Sequence, residues 1–386
     1  MQTIKELQSF LNSKTKFEER YPRYKHKDDK IHLLYVSPCL NTSGFYRMIL
    51  PALEMNKTAT HSAIITNIEN WDFNKNFENY ETRIDERLLL WADYIIFPPV
   101  LSDISYLIKA IRALNPNIQL VMDLDYNYHE IPKTHPRSAK ITSTHKEFLL
   151  ISLAQMDVAT GANIHLLDYY ATLLEKKYED SNVYMECLPS LVSRFGYEDI
   201  LPMPSRKSEV IRIGIIGKPS SAILSLKGVL QKINSTYKDK VEFIFFGWNK
   251  KRSETETLFK DIDFTIEKSV SFLNYFNVLH KLSLDIALLP TEKNMFNKHK
   301  SYTKFLELSV FGIPVIASIN HSAKLVLKEG ETGLLANTEA EWLEAIELLI
   351  KDSDYREQLS RNALKKVWRS HGFNIRNIEL ITDLFI

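Results

Sequence analysis

From residue 31 onward the chain carries short apolar runs separated by polar, helix-like stretches. In the first half the runs are Ile31 to Val36, Ala63 to Ile65, Tyr94 to Phe97, Ile118 to Leu124, Val158 to Thr160 and Val183 to Met185. In the second half they are Val210 to Ile216, Val241 to Phe246, Phe264 to Ile266, Leu284 to Leu289, Ile313 to Ala317 and Gly333 to Ala336. Runs this short, apolar on both faces, predict strands buried inside a sheet. Between them, Phe45 to Met55, Leu101 to Leu114 and His145 to Met156 predict helices, as do about 222–235, 271–282, 302–310, 339–350 and 353–369. Strands alternating with helices predict parallel sheets covered on both faces. The rhythm breaks at residues 201–209, Leu-Pro-Met-Pro-Ser-Arg-Lys-Ser-Glu. The expectation is therefore α/β, with two doubly wound domains, 30–205 and 206–370, facing a cleft. Residues 1–29 read as an N-terminal arm. Residues 371–386 carry Ile375, Ile378, Ile381 and Leu384 at helical spacing, and predict a helix that crosses back to the first domain.

Composition narrows the function. The length of 386 residues suits two domains. Lys plus Arg number 49 and Asp plus Glu 48, which argues against a dedicated nucleic-acid binder. The two cysteines, Cys39 and Cys187, make neither a disulfide framework nor a metal cluster. No stretch approaches the ~20 apolar residues of a membrane span. A cytoplasmic protein is expected, with weak peripheral contact at the inner membrane face through its arm. Of the 11 glycines, eight lie beyond residue 210, so the second half asks for unusual backbone more often.

The most informative stretch runs from Asn297 to Ile316. Ser301 reads as a helix N-cap and Gly312 as its end. Lys300 precedes the helix and Lys304 lies one turn inside it. The amides and positive dipole of such a helix start attract an anion, and two lysines beside them suit a diphosphate. Glu307, three residues after Lys304, shares its face. A carboxylate there can accept hydrogen bonds from vicinal ribose hydroxyls. On charge alone, a plain surface helix with a Lys/Glu pair fits equally well.

Here the chain resembles the GT-B glycosyltransferases, in particular the family 4-like, group 1 enzymes. Their pattern N-x-x-K-S-x-x-K-x-x-E-x-x-x-x-G-x-P-V-I-A-S is matched at Asn297, Lys300, Ser301, Lys304, Glu307, Gly312 and Pro314 to Ser318. Glu329 to Leu335 follows, like the family's D/E-G-x-T-G-L-L. The resemblance implies two Rossmann-like domains, with the donor held by the second and the acceptor by the first. The implied activity moves a sugar from a nucleotide-diphosphate-sugar to a glycan, lipid-linked sugar or protein, with retention. Lys300, Lys304 and His299 are the candidate catalytic groups. Gly217, Lys218, Lys227, Ser301 and Glu307 are the candidate donor-binding groups.

The family often has two glutamates eight residues apart. Glu307 fits the second, but His299 stands where the first would be. On the acceptor side the resemblance points to Ser43, Gly44, Arg47, Asp125 and His129. Asp123-Leu124-Asp125 also has the form of the metal-binding D-x-D of a different transferase fold. No metal and no cofactor is expected, so the leaving diphosphate must be met by lysines and helix amides. The competing readings are a non-catalytic nucleotide-sugar-binding homologue and a GT-B-fold sugar-nucleotide epimerase.

Overall fold

The computed structural model describes residues 21–25, 29–36, 41–66, 86–135, 137–195, 197, 210–217, 220–248, 252–259 and 262–386, with residues 6, 9 and 19. The expected boundary at 201–209, most of the N-terminal arm, Cys39 and Lys218 lie outside them. The chain divides into two compact units. One holds Met1–Phe195, His299–Ser301 and Phe373–Ile386; the other holds Gly196–Lys298 and Tyr302–Gly372.

The first unit is built on six parallel strands: β1 Ile31–Tyr35, β2 His61–Ile65, β3 Tyr94–Phe97, β4 Gln119–Leu124, β5 Val158–Gly161 and β6 Tyr184–Cys187. Their order across the sheet is β2-β1-β3-β4-β5-β6. Leu34, Ile95, Phe97, Leu120 and Met122 from the strands join Leu149, Leu150 and Leu153 in one core. The helix Ser143–Leu153 starts on a reciprocal cap between Thr142 and His145. Asn163 caps Ile164–Lys177. The expected helix at 101–114 starts later, at Ser105. The one at 45–55 starts earlier. Asn41 caps a turn at Thr42–Gly44, and Phe45–Ile49 follows as a π-helical turn.

The last helix, Ile375–Thr382, belongs to this first unit. His61 Nε2 lies 3.0 Å from the Phe385 carbonyl, and the Tyr94 hydroxyl donates to the Ile386 carbonyl at 2.8 Å. Its buried residues are Asn377 and Ile381, and Phe385 just beyond it is buried too. Ile375, expected on the apolar stripe, is 77% exposed. The stripe is thus rotated, because Phe385 beyond the helix end sets the contact with Tyr94.

The second unit repeats the plan with β7 Ile211–Ile216, β8 Val241–Phe246, β9 Phe264–Glu267, β10 Ile286–Leu289, β11 Val315–Ser318 and β12 Leu334–Ala336. The order is β12-β11-β10-β7-β8-β9, again parallel. The connection order reverses between β7 and β10. That is where doubly wound sheets open a crevice at their carboxyl ends. The expected helix at 222–235 is two pieces, Ser221–Ser225 and Lys227–Thr236, joined at Leu226.

Candidate functional site

Within the second unit, the helix Thr303–Val310 follows the switch point. It starts one residue later than expected, and its N-cap, Tyr302, makes no side-chain capping bond. Ser301 is not the cap. Its hydroxyl lies 3.4 Å from that of Ser190 in the first unit. Gly312, at φ +68, ends the helix as expected, and its carbonyl accepts from Ser360 Oγ.

Glu307 was expected on a helix surface. Instead it is fully buried. The helix is apolar nearly all round, with Phe305, Leu306, Leu308 and Val310 also buried. Tyr275, on the helix Phe272–Leu282, donates its hydroxyl to Glu307 Oε2 at 3.0 Å. Lys304 Nζ donates to the same phenol oxygen at 2.7 Å and lies 3.4 Å from Glu307 Oε2. Burial, and next the charge of Glu307, pushes the Tyr275 phenol well above its ordinary range, so it stays a donor. Glu307 Oε1 is buried with no hydrogen-bond partner. An orphaned carboxylate oxygen is costly unless a ligand completes it.

Also in this unit, a cavity of about 320 Å³ opens at the carboxyl ends of β10, β11 and β12. Ser221, Thr291, Glu292, Asn320 and Asn337 are among its walls. Gly217 ends β7 at φ +135, a conformation that favours glycine. Lys227 is the first residue of its helix.

In the first unit, the segment His299–Ser301 is held by two asparagines. Asn163 Nδ2 donates to the Lys300 carbonyl at 3.0 Å. Asn127 Oδ1 accepts from the amides of His129 and Glu130. Its Nδ2 therefore faces His299 Nδ1, 2.7 Å away, which must accept. Neutral His299 then carries its proton on Nε2. His299 is only 1% exposed and packs near the Tyr169 ring. It is an enclosed group, not one presented to a ligand. Lys300 is half-buried. Lys300 and Lys304 fall in different units.

The acceptor-side residues divide. Arg47, an acceptor-side candidate, is already occupied. It pairs through Nε and Nη2 with both oxygens of Asp123, at 2.9 and 2.5 Å, and donates to the Leu188 carbonyl at 2.7 Å. Thr160 Oγ1 adds a bond to Asp123 Oδ2 at 2.6 Å. The cavity beside them is about 30 Å³, room for water and not for a sugar. Gly44, another acceptor-side candidate, sits at φ −61 inside its helical turn, a conformation open to any residue. Asp125 is half-buried and takes hydrogen bonds from Ser43 and from Tyr128 at 3.0 Å. Burial raises its carboxyl, opposed by those two bonds. His129 is half-buried beside Tyr169 and Tyr170, and burial, then Lys146 and Lys177, lowers it to about 4.

Sequence reasoning missed Tyr275 and Asn127. Tyr275 has no local signal, because its partners lie 29 and 32 residues away. Among the described residues no group of His, Cys, Asp and Glu is placed to hold a metal, and no helix is long and apolar enough to cross a membrane.

Residues 231–382 match the family model described as glycosyl transferase-like. No curated protein matches the chain in sequence. Among solved structures, sucrose-phosphate synthase from Thermosynechococcus elongatus matches with a TM-score of 0.59 and 12% identity, over 92% of this chain and 98% of that one. A glycosyltransferase from Rickettsia africae matches with a TM-score of 0.56 and 16% identity, over 92% and 97%. HepE from Anabaena, in complex with UDP-glucose, matches with a TM-score of 0.52 and 12% identity, over 92% and 99%. At these identities the structures speak for the fold, and the family match speaks for the domain within it. With its two parallel six-stranded sheets the chain has the fold of these structures, and within it residues 231–382 form a glycosyl transferase-like segment.

Proposed function

We propose that the chain transfers a sugar from a nucleotide-diphosphate-sugar to a glycan, lipid-linked or protein acceptor, with retention and without a metal. The observation that carries the donor assignment is Glu307 Oε1, a buried acceptor without a partner on the helix that matches the family pattern. A ribose hydroxyl is the group that would complete it. Lys304, in the first turn of the same helix, would take the diphosphate, helped by the positive end of the helix dipole. As the glycosidic bond breaks, negative charge grows on the leaving diphosphate, and fixed positive groups stabilise that change most. HepE, of similar fold, is in complex with UDP-glucose, which makes uridine nucleotides the first to try. The acceptor would be taken by the first unit, on the side of Ser43, Asp125 and His129.

The metal-free reading is supported by the state of the D-x-D carboxylates. Both oxygens of Asp123 are taken by Arg47 and Thr160, and Asp125 is bonded by Ser43 and Tyr128. The test is a melting-curve panel with UDP-, GDP- and ADP-sugars, followed by assays for sugar transfer. One nucleotide class should raise the melting temperature, by an amount set by about 2.7 kcal/mol at a hundredfold excess over Kd. The stabilising donor should then be consumed only with an acceptor present. Conversion of the donor to its epimer without acceptor would replace this reading with the epimerase. Stabilisation with no turnover on any acceptor would replace it with the binding homologue.

A further inference from the structure

Lys304 and Glu307 are opposite charges one helical turn apart, and left alone they would close into a direct ion pair. They pair only at 3.4 Å, a long contact, while each lies closer to the hydroxyl of Tyr275, at 2.7 and 3.0 Å. Hydrogen-bond polarity fixes the order. A lysine ammonium only donates, so the phenol oxygen accepts from Lys304, and the phenol hydrogen goes to Glu307 Oε2. Lys304 Nζ also lies 4.5 Å from the centroid of the Tyr275 ring. The Phe246 ring stacks on that of Tyr275, centroids 5.6 Å apart and planes tilted by 13°. One side chain thus sets the place of the cation and the rotation of the carboxylate. With Oε2 engaged, Oε1 is the acceptor left over.

We propose that Tyr275 is a positioning residue of the donor site, keeping the Lys304–Glu307 contact long so that one can meet the diphosphate and the other the ribose. The proposal rests on the donor reading given above. Without the hydroxyl, Lys304 closes onto Glu307, neutralises it, and draws its own charge away from the phosphates. Tyr275→Phe keeps the ring and its stacking on Phe246 and removes only that hydroxyl.

The experiment is calorimetric titration with UDP, GDP and ADP, and with the 2′,3′-dideoxy form of whichever binds most tightly. The wild type should prefer the ribose form by about tenfold or more, as a hydrogen bond to a charged group implies. In Tyr275→Phe that preference should fall below about threefold. Tyr275→His, whose ring both accepts and donates, should keep more of the preference than the phenylalanine variant, and it supplies the answer if Tyr275→Phe does not fold. A role confined to packing would weaken both nucleotide forms alike and leave the ratio unchanged, which overturns the proposal while the donor site stands. A wild type that binds a nucleotide without preferring ribose overturns the ribose assignment of Glu307 and this proposal with it. Failure of all three nucleotides to bind overturns the donor reading itself.

Discussion

Each unit holds a carboxylate and a cation on or beside its sheet, and the two pairs are finished differently. In the first unit Arg47 and Asp123 are 8% and 5% exposed, and both carboxylate oxygens are taken. In the second, Glu307 is fully buried, Lys304 is 34% exposed, and one carboxylate oxygen has no partner. A closed pair satisfies itself and ties distant strands and turns together, since Arg47 and Asp123 are 76 residues apart. An open pair stores unmet hydrogen-bonding capacity at the cost of stability, which is how binding sites differ from cores. By that contrast Arg47 and Asp123 serve the fold, and Lys304 and Glu307 are the pair left open for the ligand of the proposed function.

The largest expected effect lies on the closed pair. Asp123→Ala leaves Arg47 buried and unpaired, and should cost about 3–5 kcal/mol in a denaturant titration. A loss under about 0.5 kcal/mol, the usual scale of a neutral surface change, would show that the pair is not the fold's tie. Next comes the open pair's cation. Lys304→Ala should lower kcat/KM by ~10²-fold, the scale of removing one charge-stabilising donor. Its melting curve should stay close to the wild type. If it unfolds as Asp123→Ala does, the contrast between the pairs fails. The smallest effect is none at all: saturating EDTA should leave activity intact, because the D-x-D carboxylates are already committed. Loss on chelation, restored by Mn²⁺ or Mg²⁺, would make Asp123 and Asp125 ligands instead of structural groups.

The strands were legible because a parallel sheet buries both faces and writes short apolar runs into the chain. The apolar stretch around Glu307 was equally visible. Phe305, Leu306, Leu308, Val310 and Phe311 surround it, and a helix apolar on all sides is a buried one. The expectation of a surface carboxylate came from reading charges before neighbours. Ser301 shows the limit of local cap rules: its residue type suits a helix start, but Asn163 and Ser190, more than a hundred positions away, hold that segment in the first unit. Arg47 was misread for the same reason, since nothing near it announces Asp123. Tyr275 could be found only once two helices lay side by side.

The central claim is that the orphaned oxygen of Glu307 awaits a nucleotide ribose. The direct measurement is the dissociation constant of UDP, or of whichever nucleoside diphosphate the wild type prefers, for the wild type and for Glu307→Gln. The substitution keeps shape and burial and removes the charge. Affinity should fall by about 1.5–3 kcal/mol, roughly ten- to a hundred-and-fifty-fold. Equal affinity in the two proteins, with both folded, would contradict the claim.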